Sequence, residues 1–169
     1  PSKNIVLNLN SLGDKDTLKI FKNILNIYFE KYKNDLSEES KIKINNNPLR
    51  ILDSKNNQDI KINNEAPKIS DFYSSEANNK FDKIQELLTN LSIDYKIDSN
   101  LVRGLDYYCH TVFEFKTDQL GSQDTLIGGG RYDGLSKILG GPNIPGVGWA
   151  GGMERLIMLM EDLNEKNDK

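Results

Sequence analysis

Cysteine, histidine and arginine are nearly absent from this chain: one Cys, one His and four arginines among 22 basic residues, in a length of 169. A lone Cys109 cannot close an internal disulfide, which agrees with a reducing compartment. One His and one Cys do not make a zinc-type ligand set, so no metal centre is expected, although carboxylate-bound Mg²⁺ stays open. No apolar run reaches the length of a membrane span, and the first residues lack the charged-then-apolar layout of an export signal. A cytoplasmic location without membrane contact is the expectation. The net charge of −3 argues against a protein that grips nucleic acid with its whole surface and leaves room for local contacts only. What is present suffices for folding: 37% hydrophobic and 28% charged residues describe a globular protein of one or two domains.

The chain changes character near residue 100. Ile5 to Leu9 alternates like a strand, and Leu18, Phe21, Leu25, Tyr28 and Tyr32 fall on one face of a helix whose start suits Asp14 and Asp16. Asn47-Pro48 and Ala66-Pro67 break the middle into short pieces. A second helix carries Phe81, Ile84, Leu87, Leu88 and Leu91 on its buried side. Residues 1–100 thus read as a mainly helical module with a flanking strand. Leu105 to Phe115, dense in Tyr, Val and Phe, and the shorter Thr125 to Ile127 read as paired strands, where the sheet is expected to begin. GGGRYDGL (128–135) ends the second of them and leads into a short helix stopped by Gly140-Gly141-Pro142. GVGWAGGMERLIMLMEDL (146–163) supplies a last strand, turn and helix.

Where lysine supplies most of the positive charge, each arginine calls for a reason. The planar guanidinium holds a phosphate or carboxylate by two parallel hydrogen bonds, which an ammonium group cannot do. Arg103, Arg131 and Arg155 all lie beyond residue 100 and beside glycines, and Arg155 follows GGME in the first turns of a helix, where backbone N–H groups also favour phosphate. The glycine run lacks the lysine and hydroxyl of a phosphate-cradling P-loop, and glycines after a strand are turn punctuation when taken alone. Three arginines converging from neighbouring elements suit a nucleotide triphosphate on an antiparallel sheet. Lys41, Lys43, Arg50 and Lys55 form a local basic patch, either a solvated face or an RNA contact, but residues 1–100 balance 15 basic against 15 acidic side chains.

LVRGLDYY followed by TVFEF, then GGGRYDGL, then GVGWAGGMERL, in this order and at these intervals, resembles the C-terminal half of the catalytic domain of the histidyl-tRNA synthetase family. The first string is similar to that family's histidine signature and the last to its version of class II motif 3. NPLRILDSKN (47–56) resembles part of the helical insertion between motif 2 and the signature. The resemblance implies an α+β fold in two parts. Residues 1–100 would be a mainly helical insertion domain with a flanking catalytic-domain strand, and 101–169 the C-terminal part of an antiparallel class II catalytic domain.

It also implies roles. Arg103 would contact the α-phosphate of ATP and the histidine carboxylate, as the catalytic group; Tyr107, Tyr108 and Tyr132 would line the histidine pocket, with Tyr108 hydrogen-bonded to the imidazole. Arg155 would hold the γ-phosphate, and Gly128, Gly129 and Gly130 would let the backbone approach the nucleotide. ATP with Mg²⁺ would be a substrate complex, with no bound organic cofactor. Histidine and the tRNA acceptor end would be the other substrates, and the intact protein a homodimer. Alternatives stay open at three places. One of two adjacent strand tyrosines could be structural, Arg131 could pair with Asp133 or Glu114, and Cys109 and His110, as strand neighbours, should face opposite ways.

Motif 1, the motif 2 strands and the anticodon-binding domain have no counterpart here, and the first residue is Pro1, so the chain is expected to be a piece of a longer protein, inactive alone. Two rivals share parts of this pattern. One is a non-catalytic paralogue acting as the histidine-sensing regulatory subunit of ATP phosphoribosyltransferase; the other is an RNA-binding module built on the helical part.

Overall fold

The structure, a computed structural model, describes residues 5–121 and 124–167. Five strands form one sheet in the order β2-β1-β3-β4-β5: β1 (Ile5–Ser11), β2 (Tyr95–Ile97), β3 (Cys109–Thr117), β4 (Thr125–Arg131) and β5 (Val147–Gly151). β1 runs parallel to β2, and the other neighbours are antiparallel. This architecture is the α+β class implied by the resemblance. The sheet does not begin near residue 105, however, because β1 pairs with β3 along its whole length, from Ile5 opposite Thr117 to Ser11 opposite Thr111. Its alternation marks a strand, but nothing local discloses a partner about a hundred residues away.

Between β1 and β2 lie α1 (Lys15–Lys31), α2 (Glu38–Asn46), α3 (Asn57–Asn64) and α4 (Ser75–Asn90), with 3₁₀ turns at Pro48–Ile51 and Ile69–Phe72; α5 (Leu135–Ile138) and α6 (Met153–Asn167) follow later. Asp14 caps α1 by accepting the Thr17 N–H at 2.8 Å, so the expected start is the observed one. Phe21, Leu25 and Phe29 are the fully buried apolar side chains of α1, whereas Tyr32 lies beyond its last turn and is exposed. On α4 only Ala77 and Phe81 are buried. Leu87 and Leu91, expected on the buried side, are 48% and 68% exposed.

One apolar cluster joins α1, α2, both 3₁₀ turns and the sheet, running from Leu12 through Phe29, Ile44, Ile51 and Ile69 to Leu101, Val102 and Val112. The helical part is pinned by Asp59, which has no exposed surface. Its carboxylate accepts from the Ser37 N–H at 2.8 Å and from the hydroxyls of Ser37 and Ser40 at 2.7 Å and of Ser54 at 2.5 Å. Burial alone would raise this carboxyl, but the four donors outweigh it and hold it below the usual carboxylate range. Among the described residues no helix is long and apolar enough to cross a membrane.

Candidate active site

Arg103, Tyr107 and Tyr108 lie on the segment leading into β3, not on the strand, which starts only at Cys109. A turn over Asp106 and Tyr107 intervenes, so strand alternation does not separate the two tyrosines. Their rings meet at 4.6 Å, and both meet Tyr132, at 5.5 and 5.9 Å, in edge-on contacts. The three predicted pocket tyrosines therefore form one cluster. The neighbouring Tyr108 phenol, and then partial burial, push the Tyr107 phenol above its ordinary value. The Arg103 guanidinium carbon stands 5.6 Å from the Tyr108 ring centroid, within cation–π range.

The far side of Arg103 opens into a groove of about 670 Å³ lined by Glu114, Thr125, Gly128, Gly152, Arg103 and Arg155, among others. Arg103 Nη1 donates to Glu114 Oε1 at 2.8 Å, and its buried Nε has no partner. The other carboxylate oxygen accepts from the Thr125 hydroxyl at 3.2 Å and lies 3.3 Å from Lys116 Nζ. Burial would lower the Lys116 ammonium, but Glu114 and Asp124 outweigh it and raise it. Arg155 sits in the first turn of α6, as expected, and donates Nη1 to the Thr125 carbonyl at 2.6 Å. Thr125 thus touches both arginines' surroundings: its hydroxyl braces the carboxylate that holds Arg103, and its carbonyl holds Arg155.

Gly128, Gly129 and Gly130 lie within β4 and do not follow it. A methyl group at Gly128 would stand 2.6 Å from Arg103 Nη1, and one at Gly130 would stand 3.0 Å from Tyr108 Cδ1. Gly129 faces the other side of the sheet, against the Gly148 carbonyl and Phe113. Gly128 therefore makes room for Arg103 and Gly130 for Tyr108, while Gly129 and also Gly130, whose added methyl would stand 2.8 Å from the Thr111 carbonyl, permit close strand pairing. Sequence reasoning missed Thr125 and left Glu114 as a partner for Arg131. Arg131 pairs with Asp133, Nε to its two oxygens at 2.7 and 2.9 Å, and this contact raises the guanidinium further.

The expectation that Cys109 and His110 face opposite ways fails. His110 adopts a φ of +51° and β3 shifts register there, so the alternation of a regular strand is lost. The Cys109 sulfur, a His110 ring nitrogen and an Asp133 oxygen lie within 4.8 Å of one another. The ligand count from cysteine and histidine alone overlooked this carboxylate.

A sequence profile of the histidyl-tRNA synthetase family matches residues 33–156. A histidine–tRNA ligase of Prochlorococcus marinus (strain NATL1A) is 55% identical over 158 residues, which are 94% of this chain and 37% of that protein. One of Wolbachia pipientis wMel is 51% identical over 159 residues, 94% of this chain and 39% of that protein. The apo crystal structure of Staphylococcus aureus histidyl-tRNA synthetase superposes with a TM-score of 0.72 at 35% identity, covering 96% of this chain and 39% of that one. The chain thus spans 37% and 39% of the length of these two ligases.

Proposed function

The chain belongs to the histidyl-tRNA synthetase family, and from that premise we propose that it carries the histidine-recognition and triphosphate-binding half of a histidine–tRNA ligase active site. The observation that carries this reading is the position of Arg103. It stands between the tyrosine cluster on one side and the groove shared with Arg155 on the other. A ligand bridging the two would present an imidazole to Tyr107, Tyr108 and Tyr132 and its phosphates to the arginines.

In this reading the histidine carboxylate attacks the α-phosphorus of ATP, pyrophosphate leaves, and the adenylate then passes its histidyl group to the 3′ end of tRNA. Arg103 neutralises charge on the α-phosphoryl oxygens and on the carboxylate, where positioning and charge stabilisation do most of the catalytic work. Tyr108 hydrogen-bonds the imidazole, Tyr107 and Tyr132 form its walls, and Arg155 holds the γ-phosphate. Mg²⁺ arrives with ATP, and the Glu114 and Thr125 oxygens lining the groove are of the hard type that suits it. We assign the groups that hold the substrate α-amino group, a further ATP-binding arginine and the dimer surface to the parts of the two ligases that this chain does not span. The intact protein is a cytoplasmic homodimer and the isolated chain is inactive. The ligase names of the relatives weigh against the regulatory-subunit reading.

Histidine-dependent exchange between ATP and pyrophosphate tests this in the longer protein that contains the chain. Arg103→Ala should lower exchange by about a hundredfold or more, and the isolated chain should show none. Exchange unchanged by that substitution would sink the assignment of Arg103.

A further inference from the structure

We propose that Cys109, His110 and Asp133 form a binding site for a thiophilic divalent ion of the zinc class, placed behind the tyrosine cluster. The three side chains offer one sulfur, one imidazole nitrogen and one carboxylate oxygen, all within 4.8 Å of one another. Bond lengths of about 2.0–2.3 Å place tetrahedral ligand atoms roughly 3.3–3.8 Å apart, so closure on the order of 1 Å completes the set, with water in the fourth position.

Independent of the cluster itself, His110 points to a missing partner. The residue is 8% exposed, and its Nδ1 is buried without a hydrogen bond. A buried, unpaired imidazole nitrogen is costly. The backbone also bends unusually to bring the ring here, with φ at +51° in a non-glycine residue. Burial holds the imidazole towards its neutral form, the form that ligates. Arg131, bonded to both Asp133 oxygens, fixes the carboxylate in place as an outer partner of a ligand does.

The nearby cations Arg131, Lys15 and Lys80 oppose a hard ion, which binds by charge alone. A soft ion gains from the sulfur, so zinc, cadmium and cobalt should bind where magnesium and calcium do not. On binding, the Cys109 thiol, which burial keeps protonated, releases its proton to solvent as the sulfur–metal bond forms. Cys109 adjoins Tyr108 and Asp133 adjoins Tyr132, so the bound ion ties together the two segments that supply the tyrosine cluster.

Titration of the chain with Co²⁺, followed by absorption, tests this. Expected is a thiolate-to-cobalt charge-transfer band saturating at one equivalent, abolished by Zn²⁺ and unaffected by excess Mg²⁺. Cys109→Ser should remove the band. His110→Asn, which tolerates the same backbone, and Asp133→Asn should each weaken Co²⁺ binding about tenfold or more, with far-UV dichroism unchanged. No charge-transfer band at millimolar Co²⁺, or a band of equal affinity in both the His110 and Asp133 variants, would overturn the site.

Discussion

A methyl group at Gly128 would collide with the far end of the Arg103 side chain, whereas one at Gly129 would collide with the Gly148 carbonyl and the Trp149 Cβ. The first obstacle can swing away and the second cannot. Gly128→Ala should therefore cost less stability than Gly129→Ala, while displacing the guanidinium from Glu114 and the groove and weakening adenylate-analogue binding by about tenfold or more. Gly129→Ala should instead unpair β4 from β5 and cost stability outright. Thermal unfolding and calorimetric binding of the two variants, side by side, check the distinction. Equal stability losses would contradict it. Glu114 is the residue on which Arg103 rests, through one bond of 2.8 Å. Glu114→Gln keeps the shape and removes the charge, so analogue binding should fall while the fold stays intact.

At the scale of elements, the Asp59 hub ties the N-terminus of α2 to α3 and to Ser54. Asp59→Ala leaves three buried or half-buried hydroxyls without their acceptor and should cost about 3 kcal/mol, read from denaturant unfolding. The folded carboxyl titrates below its ordinary value, so its stabilisation is complete above the unfolded pKa of about 3.9 and is lost as pH falls through the lower folded value. Asp14, lowered to about 2 chiefly by the Ser74 hydroxyl and then the Thr17 N–H, follows the same sign between its ordinary 3.8 and about 2. Stability measured against pH should thus decline first below about pH 6.5, as the unfolded chain takes up the proton that burial keeps from His110, and again below about pH 4 as the two carboxylates protonate, and Asp59→Asn should flatten only the second fall. Local signals of this kind were readable in advance: Asp14 as a cap, the helical face of Phe21 and Leu25, the arginine at the head of α6. Pairings were not. β1 meets β3 across about a hundred residues of chain, and its alternation says only that it has a partner. The aromatic run from Leu105 looked like strand because strand preference records packing more than backbone, yet the turn at Asp106–Tyr107 holds it off the sheet until Cys109. The bulge at His110 is likewise a tertiary event: the β1 end bonds across it, with Leu12 N–H to the His110 carbonyl and His110 N–H to the Gly13 carbonyl, both at 2.7 Å.

At the scale of the whole molecule, the candidate site was legible because its chemistry is written in short strings, while its internal wiring was not. The Glu114 and Thr125 contacts come from strand register and close approach, which no string discloses. In the proposed function the tyrosine cluster and the arginine groove are two ends of a single ligand site joined at Arg103. Calorimetric titration of the chain with a non-hydrolysable histidyl-adenylate analogue, beside Arg103→Ala and Tyr108→Ala, tests it most directly. One-to-one binding by the unaltered chain is expected, weakened about tenfold or more by each substitution, with a double variant no worse than the sum. Binding that either variant leaves unchanged, or none by the unaltered chain, would contradict it.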